Sequence, residues 1–235
     1  MEKKKLLWAR NLIKFYGSDK VLDIDQIELA EGSVVSLLGP NGCGKTTLIK
    51  VLSWLIEAQN REIFFRGQRI KEDNSLNYRR QLGFIWQKPL FYNQSVRDNV
   101  ALGLKFRGLP GSEVEEKVEA VINRLGIGEL KDKAAHRLSG GQQQKVSIAR
   151  TLVTEPEILF IDEPNTSLDM ESINLVEEII KKEAYRGTGI MLVTHNFYRA
   201  RELSDKVIFL KQGKKVAENS PDKFFAQQKE LLHYL

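Results

Sequence analysis

Three glycines, a lysine and two threonines fall within Gly39-Pro40-Asn41-Gly42-Cys43-Gly44-Lys45-Thr46-Thr47. The stretch fits G-x-x-x-x-G-K-[ST], and each constraint has a physical reason. Glycines let the backbone curl until successive N–H groups point at phosphate oxygens. A helix starting at the loop adds the positive end of its dipole. Lys45 puts a full charge on the β- and γ-phosphates, and Thr46 offers a hydroxyl to Mg²⁺. The pattern predicts a nucleoside triphosphate site built from Gly39 to Thr47. Cys43 reads as a small spacer whose N–H matters; the alternative is that alkylating its thiol blocks nucleotide.

Two acids stand farther along. Ile158-Leu159-Phe160-Ile161-Asp162-Glu163-Pro164 is an apolar strand ending in carboxylates. A carboxylate at the end of a buried parallel strand lies near the mouth of a phosphate loop. Asp162 suits the Mg²⁺ shell through water. Glu163, one residue on, points elsewhere and suits polarising a water for attack on the γ-phosphate. Standing alone, the pair would fit two solvated acids in a turn equally well. Leu138-Ser139-Gly140-Gly141-Gln142 reads as a helix N-terminus with a Ser cap and two glycines, a second anion cradle. One nucleotide cannot readily use two such cradles on one chain. A head-to-tail dimer can, with each γ-phosphate held between one chain's loop and the other chain's Ser139, Gly140 and Gly141.

The elements that must hold these groups follow from hydrophobic spacing. Residues 6–12 and 21–29 read as strands around a turn at 17–19, and 34–38 as a short buried strand running into the loop. Leu48, Ile49, Val51, Leu52 and Leu55 then recur at helical spacing. From about 96 to 125 the pattern is helical, with Val114, Val118, Val121, Ile122 and Leu125 on one face. Gly108-Leu109-Pro110-Gly111 breaks it. A mostly helical insertion is predicted over 88–153. Strands at 158–161, 190–193 and 207–210, a helix at 173–184 and a hairpin turn at 211–214 complete an α/β alternation.

Composition narrows the class. Of 235 residues, 42% are hydrophobic and 29% charged, which excludes a disordered or collagen-like chain. The single cysteine excludes an internal disulfide. No run approaches the roughly 18 apolar residues of a membrane span. The basic, briefly apolar start is too short for a signal peptide, so a cytoplasmic location is expected. The net charge is +5, but Lys and Glu are interspersed, and no nucleic-acid partner is expected.

With these motifs in this order, the chain resembles the ATP-binding cassette (ABC) family, specifically the nucleotide-binding subunit of transporters, from about Trp8 to Gly213. The resemblance implies a single α/β domain. A P-loop NTPase core with an N-terminal antiparallel β subdomain spans 1–87 and 154–235, and a helical signature subdomain spans 88–153. It implies that Tyr16 stacks on adenine. Gln87, in Phe84-Ile85-Trp86-Gln87-Lys88-Pro89, would contact Mg²⁺ and the attacking water. Asp169, in Ser167-Leu168-Asp169, would carry signals across the dimer, and His195, after Val193-Thr194, would meet the γ-phosphate. Ser139, Gly140, Gly141 and Gln142 would complete the partner's ATP site. Lys145, Asn165 and Asn196 depart from common family residues without removing a catalytic group.

The resemblance also implies partners. These are an integral membrane permease, a second copy of the cassette and, indirectly, an extracytoplasmic solute-binding protein, with this chain peripheral on the cytoplasmic face of the plasma membrane. Residues 86–108, the Phe224-Phe225 tail and the absence of a long C-terminal regulatory domain are similar to oxyanion importers of the tungstate or molybdate type. Phosphate and polar amino-acid importers remain alternatives, as does a soluble ABC ATPase of translation or DNA repair. Residues 89–106 resemble part of the groove that receives a permease helix; ordinary packing would explain about half of them, and exposure of Phe91 or Tyr92 would favour docking.

Overall fold

The computed structural model describes residues 3–162, 170–227 and 230. Glu163 and Asp169, with the rest of 163–169, lie outside the described residues.

Two sheets form the frame. Strands β1 (Lys5–Tyr16), β2 (Asp19–Ala30), β4 (Asn60–Phe65) and β5 (Gln68–Arg69) make an antiparallel sheet in the order β2-β1-β4-β5. The second sheet runs β10-β9-β3-β8-β7-β6, built from β3 (Val34–Leu38), β6 (Leu82–Ile85), β7 (Ile158–Asp162), β8 (Gly189–Val193), β9 (Lys206–Lys211) and β10 (Lys214–Asn219). Its five strands from β9 to β6 are parallel, and β10 closes the edge antiparallel to β9. Every residue of β3 and β8 is buried, as expected of strands covered on both faces.

Alternation divides the side chains of these strands between two cores. Leu159, Ile161, Ile190 and Leu192 face one way, toward helices α3 (Val96–Phe106), α4 (Gly111–Arg124), α5 (Gly140–Leu152) and α6 (Met170–Tyr185). Val35, Leu37, Phe160, Met191 and Val193 face the other way. There they meet the antiparallel sheet and α1 (Lys45–Leu52). A third cluster joins Leu38, Ala200, Val207, Phe209 and Phe224. It seats α7 (Phe197–Leu203) and α8 (Pro221–Gln227) beside β9.

The helical stretch enters after β6 and leaves before β7, and these two strands are direct neighbours. Its helices begin with strong stop signals. Ser95 caps α3 by accepting from Asp98 N–H at 3.1 Å. Gly108 and Pro110 break the chain before α4, whose buried residues are Val114, Val118, Val121 and Ile122. The first two strands are longer than the sequence pattern implied, because polar residues beyond each apolar run still pair across the hairpin. Short α2 (Ser75–Arg79), β4–β6, β10, α7 and α8 have little periodicity of their own. No helix among the described residues is long and apolar enough to cross a membrane.

Candidate functional site

Four neighbouring parallel strands, β3, β8, β7 and β6, deliver the chemistry-bearing residues just past their carboxyl ends. The phosphate loop follows β3, His195 follows β8, Asp162 ends β7 and Gln87 follows β6. In an open parallel sheet this edge is where ligands bind.

The loop is shaped by its glycines and by β9. Gly39 adopts φ 147°, and a Cβ there would strike the Leu210 carbonyl oxygen on β9. Lys45 is buried, and its Nζ donates to the carbonyl oxygens of Gly39 (2.6 Å) and Pro40 (3.0 Å). The ammonium therefore sits inside the curl of the loop, neutralised by no carboxylate in those two bonds. Thr46 Oγ1 donates to Asp162 Oδ2 at 2.8 Å. That bond joins the start of α1 to the end of β7 across 116 positions of sequence. A cavity of about 270 Å³ opens here, lined by Asn41, Gly42, Gly44, Lys45, Thr46, Thr47, Gln87 and Asp162, with Val21 at its rim. Cys43 is buried, and burial pushes its thiol up against the opposing pull of the Lys45 charge.

Other expected residues lie outside this cavity. Tyr16 closes the β1–β2 hairpin, 51% exposed, with the Lys14 ammonium 4.8 Å from its ring centre. His195 is exposed between buried Thr194 and the Asn196 cap of α7. Ser139 caps α5 in a capping box: its hydroxyl accepts from Gln142 N–H at 3.4 Å, and its own N–H donates to Gln142 Oε1 at 3.2 Å. Ser139 and Gly140 are exposed, and a Cβ on Gly140 would meet no atom within 4 Å. This second cradle is thus open to solvent and contributes nothing to the first within one chain.

The loop after Gln87 is tied down from two sides. Buried Asn99 donates to the carbonyls of Tyr92 (3.1 Å), Gln94 (3.2 Å) and Ser95 (2.9 Å) and accepts from Tyr92 N–H (3.0 Å). Arg150, near the end of α5, donates to the Leu90 carbonyl at 2.6 Å and lies over the Phe91 ring at 5.1 Å. Burial lowers the Arg150 pKa from its ordinary value. Phe91 is therefore half-buried, whereas Leu90 is 83% and Tyr92 59% exposed.

Gly213 was legible only as a turn residue. In the structure its N–H donates to the Cys43 carbonyl (3.0 Å), its own carbonyl accepts from Asp23 N–H (2.8 Å), and it wedges against Val21. It braces the phosphate loop against β2. Only long-range pairing brings these segments together, and no local signal announced it.

A hydroxyl, a carboxylate and an amide oxygen on one small cavity form a hard-oxygen donor set, which fits Mg²⁺. Among the described residues there is no cluster of three or more His, Cys, Asp or Glu side chains.

Known proteins similar to this chain give its family and fold. The family model described as ABC transporter matches residues 22–166. The chain is 35% identical to the tungstate uptake system ATP-binding protein TupC of Peptoclostridium acidaminophilum over 87% of its length and 94% of that protein. It is 35% identical to the spermidine/putrescine import ATP-binding protein PotA of Bacteroides fragilis, but spans only 46% of that longer relative. Further relatives at 33–36% identity bear the names of glutamate, iron and phosphate transport ATP-binding proteins. The solved structure of cbiO1 from Clostridium perfringens, described as part of the ABC transporter complex cbiONQ, superimposes with a TM-score of 0.86 at 28% identity, covering 97% of this chain and 93% of that one.

Proposed function

This chain belongs to the ABC transporter family as an ATP-hydrolysing subunit that powers import, and we propose that its cargo is an oxyanion of the tungstate or molybdate type. The observation that carries the catalytic reading is the Thr46–Asp162 hydrogen bond beside the buried Lys45.

The steps follow from the residues. Backbone N–H groups from Gly39 to Thr47 cradle the phosphates, and Tyr16 stacks on adenine. Lys45 exchanges its two loop carbonyls for β- and γ-phosphate oxygens. Thr46, Gln87 and Asp162 would hold Mg²⁺, which supplies charge neutralisation on the phosphates. Glu163 orients and polarises the attacking water, and His195 stabilises the γ-phosphate. Ser139, Gly140, Gly141 and Gln142 of a second copy close over that phosphate; the exposure of Ser139 and Gly140 in a single chain supports this role. Asp169 relays the state of one site to the other. Closure on ATP and reopening after hydrolysis form the two-state element. A membrane permease turns that motion into transport, with this chain peripheral on the cytoplasmic face and a solute-binding protein delivering cargo outside.

The cargo reading rests on residues 86–108, with their similarity to oxyanion importers, and on the match to TupC across most of both chains. Phosphate and glutamate remain the second reading, because relatives bearing those names are 36% identical to this chain. The test is whole-cell uptake of tungstate, molybdate and phosphate with wild type and Glu163→Gln at matched expression. Selective loss of tungstate or molybdate uptake in the variant is expected. Loss of phosphate uptake alone would keep the mechanism and overturn the cargo. Near wild-type ATP turnover in the purified variant would remove Glu163 from its catalytic role.

A further inference from the structure

Next to the candidate site lies an ion pair that no step above uses. Arg199, on α7, donates from Nε to Glu177 Oε1 on α6 at 2.9 Å. Several ion pairs among the described residues are solvent-washed, as Lys182–Glu178 is at 64% and 63% exposure. Arg199 and Glu177 are 16% and 25% exposed. A pair this shielded is screened less by water and salt, and breaking it leaves a partly desolvated charge.

Its position gives it leverage on His195. That residue stands one position before the α7 cap. Asn196 donates its N–H to Thr194 Oγ1 at 3.1 Å and accepts from Arg199 N–H at 3.0 Å. Thr194 N–H in turn reaches the Leu37 carbonyl on β3 at 3.4 Å. The segment from Thr194 to Arg199 is therefore one hydrogen-bonded unit, with His195 inside it. Apolar contacts also hold α7: Ala200 is fully buried, and Phe197 meets Phe225 edge-on at 6.2 Å. Such contacts are non-directional, and the hydrogen bonds that orient α7 lie at its ends, in the Asn196 cap and between Ser204 Oγ and Ser36 Oγ. The Arg199–Glu177 bond adds a directional tie from the first turn of α7 to α6. Its far end is α6, which begins at Met170, immediately after the segment holding Glu163 and Asp169.

We propose that Arg199, held by Glu177, is a positioning residue for ATP hydrolysis: the pair ties the His195 turn to the helix that follows Glu163 and Asp169. The inference rests on the reading of His195 given above. Arg199 does not touch the nucleotide; it acts by keeping His195 in register with the γ-phosphate. Nucleotide affinity, set by the phosphate loop, is independent of it.

The test is a charge swap in the full chain, read by steady-state kcat and KM for Mg-ATP, binding of a fluorescent ATP analogue, and Tm. Arg199→Glu and Glu177→Arg should each lower kcat about tenfold, as a slightly misplaced group does, with affinity within about twofold. The double swap restores the pair with its sense reversed and should recover kcat to within about threefold of wild type. Lys182→Glu, on an exposed pair of the same helix, should change nothing. Single variants at wild-type kcat, or a double swap as slow as the singles, would overturn the positioning role. So would a loss of rate that vanishes at a lower temperature where the variants are fully folded. His195→Ala runs alongside. If it is slow and Arg199→Glu is fast, the present inference alone falls. If His195→Ala turns over like wild type, the reading of His195 falls first. Arg199→Glu should add no further loss in the His195→Ala background; an additive loss overturns the route through His195.

Discussion

Position 213 carries more than a turn. Gly17 and Gly213 both adopt positive φ, 59° and 76°, and in the sequence both are turn glycines. Around Gly17 an added Cβ meets nothing within 4 Å, whereas at Gly213 it would run into the Val21 backbone. Gly213 also donates to the Cys43 carbonyl inside the phosphate loop. Gly17→Ala should therefore cost about 1 kcal/mol, the left-handed penalty alone. Gly213→Ala should cost about 3 kcal/mol as strain adds to steric displacement. Only the second should weaken ATP binding, because the strain is discharged into the loop. Denaturant melts and calorimetric ATP titrations of the two variants check this. Equal effects would mean that Gly213 is only a turn.

At the scale of elements, legibility followed how much a segment relies on its own pattern. Strand β8 and the first four residues of β7 are apolar runs, β3 is one apart from Ser36, and α4 has a clean helical stripe, so both kinds are legible. Strand β4 is short and polar in its first half, and β5 has only two residues; β4 exists because β1 offers it an edge, and β5 because β4 does. The α5 terminus shows a different ambiguity, since Ser139 has two uses that the sequence cannot separate. It closes a capping box in its own helix, and it is proposed to meet a γ-phosphate in a second copy. Asp caps a helix as well as Ser, but its negative charge repels phosphate. Ser139→Asp should keep Tm within about 1 kcal/mol equivalent of wild type, as cap exchanges between good cappers do. Placed in the Glu163→Gln background, it should abolish ATP-dependent dimerisation. Light scattering with and without Mg-ATP separates the roles: dimers that persist would leave Ser139 as a cap only.

Across the whole molecule, the sheet's carboxyl edge gathers the phosphate loop, Asp162 and Gln87, and Gln87 leads directly into a loop with two exposed large apolar side chains. Leu90 and Tyr92 point to solvent while Phe91 between them is held under Arg150. Asn99 fixes the loop backbone with four hydrogen bonds. A loop braced this firmly, with Leu90 at 83% exposure beside exposed Tyr92, fits the proposed docking surface. Exposure of Tyr92 favours the docking reading over ordinary packing, which does explain Phe91. The permease is the occupant proposed, and the short path through Gln87 would let docking and hydrolysis report on each other. Leu90→Glu should therefore leave ATP affinity and Tm of the isolated chain unchanged, because the side chain packs on nothing the fold needs. In membranes with the permease it should lower oxyanion uptake about tenfold or more, the cost of putting a charge into an apolar contact. Asn99→Asp tests the brace itself: a carboxylate facing three carbonyls cannot donate to them, so the loop should loosen at a cost of roughly 2–3 kcal/mol. Uptake should fall with it while nucleotide binding is retained. Wild-type uptake by Leu90→Glu would move the docking site off this loop, whatever Asn99→Asp does.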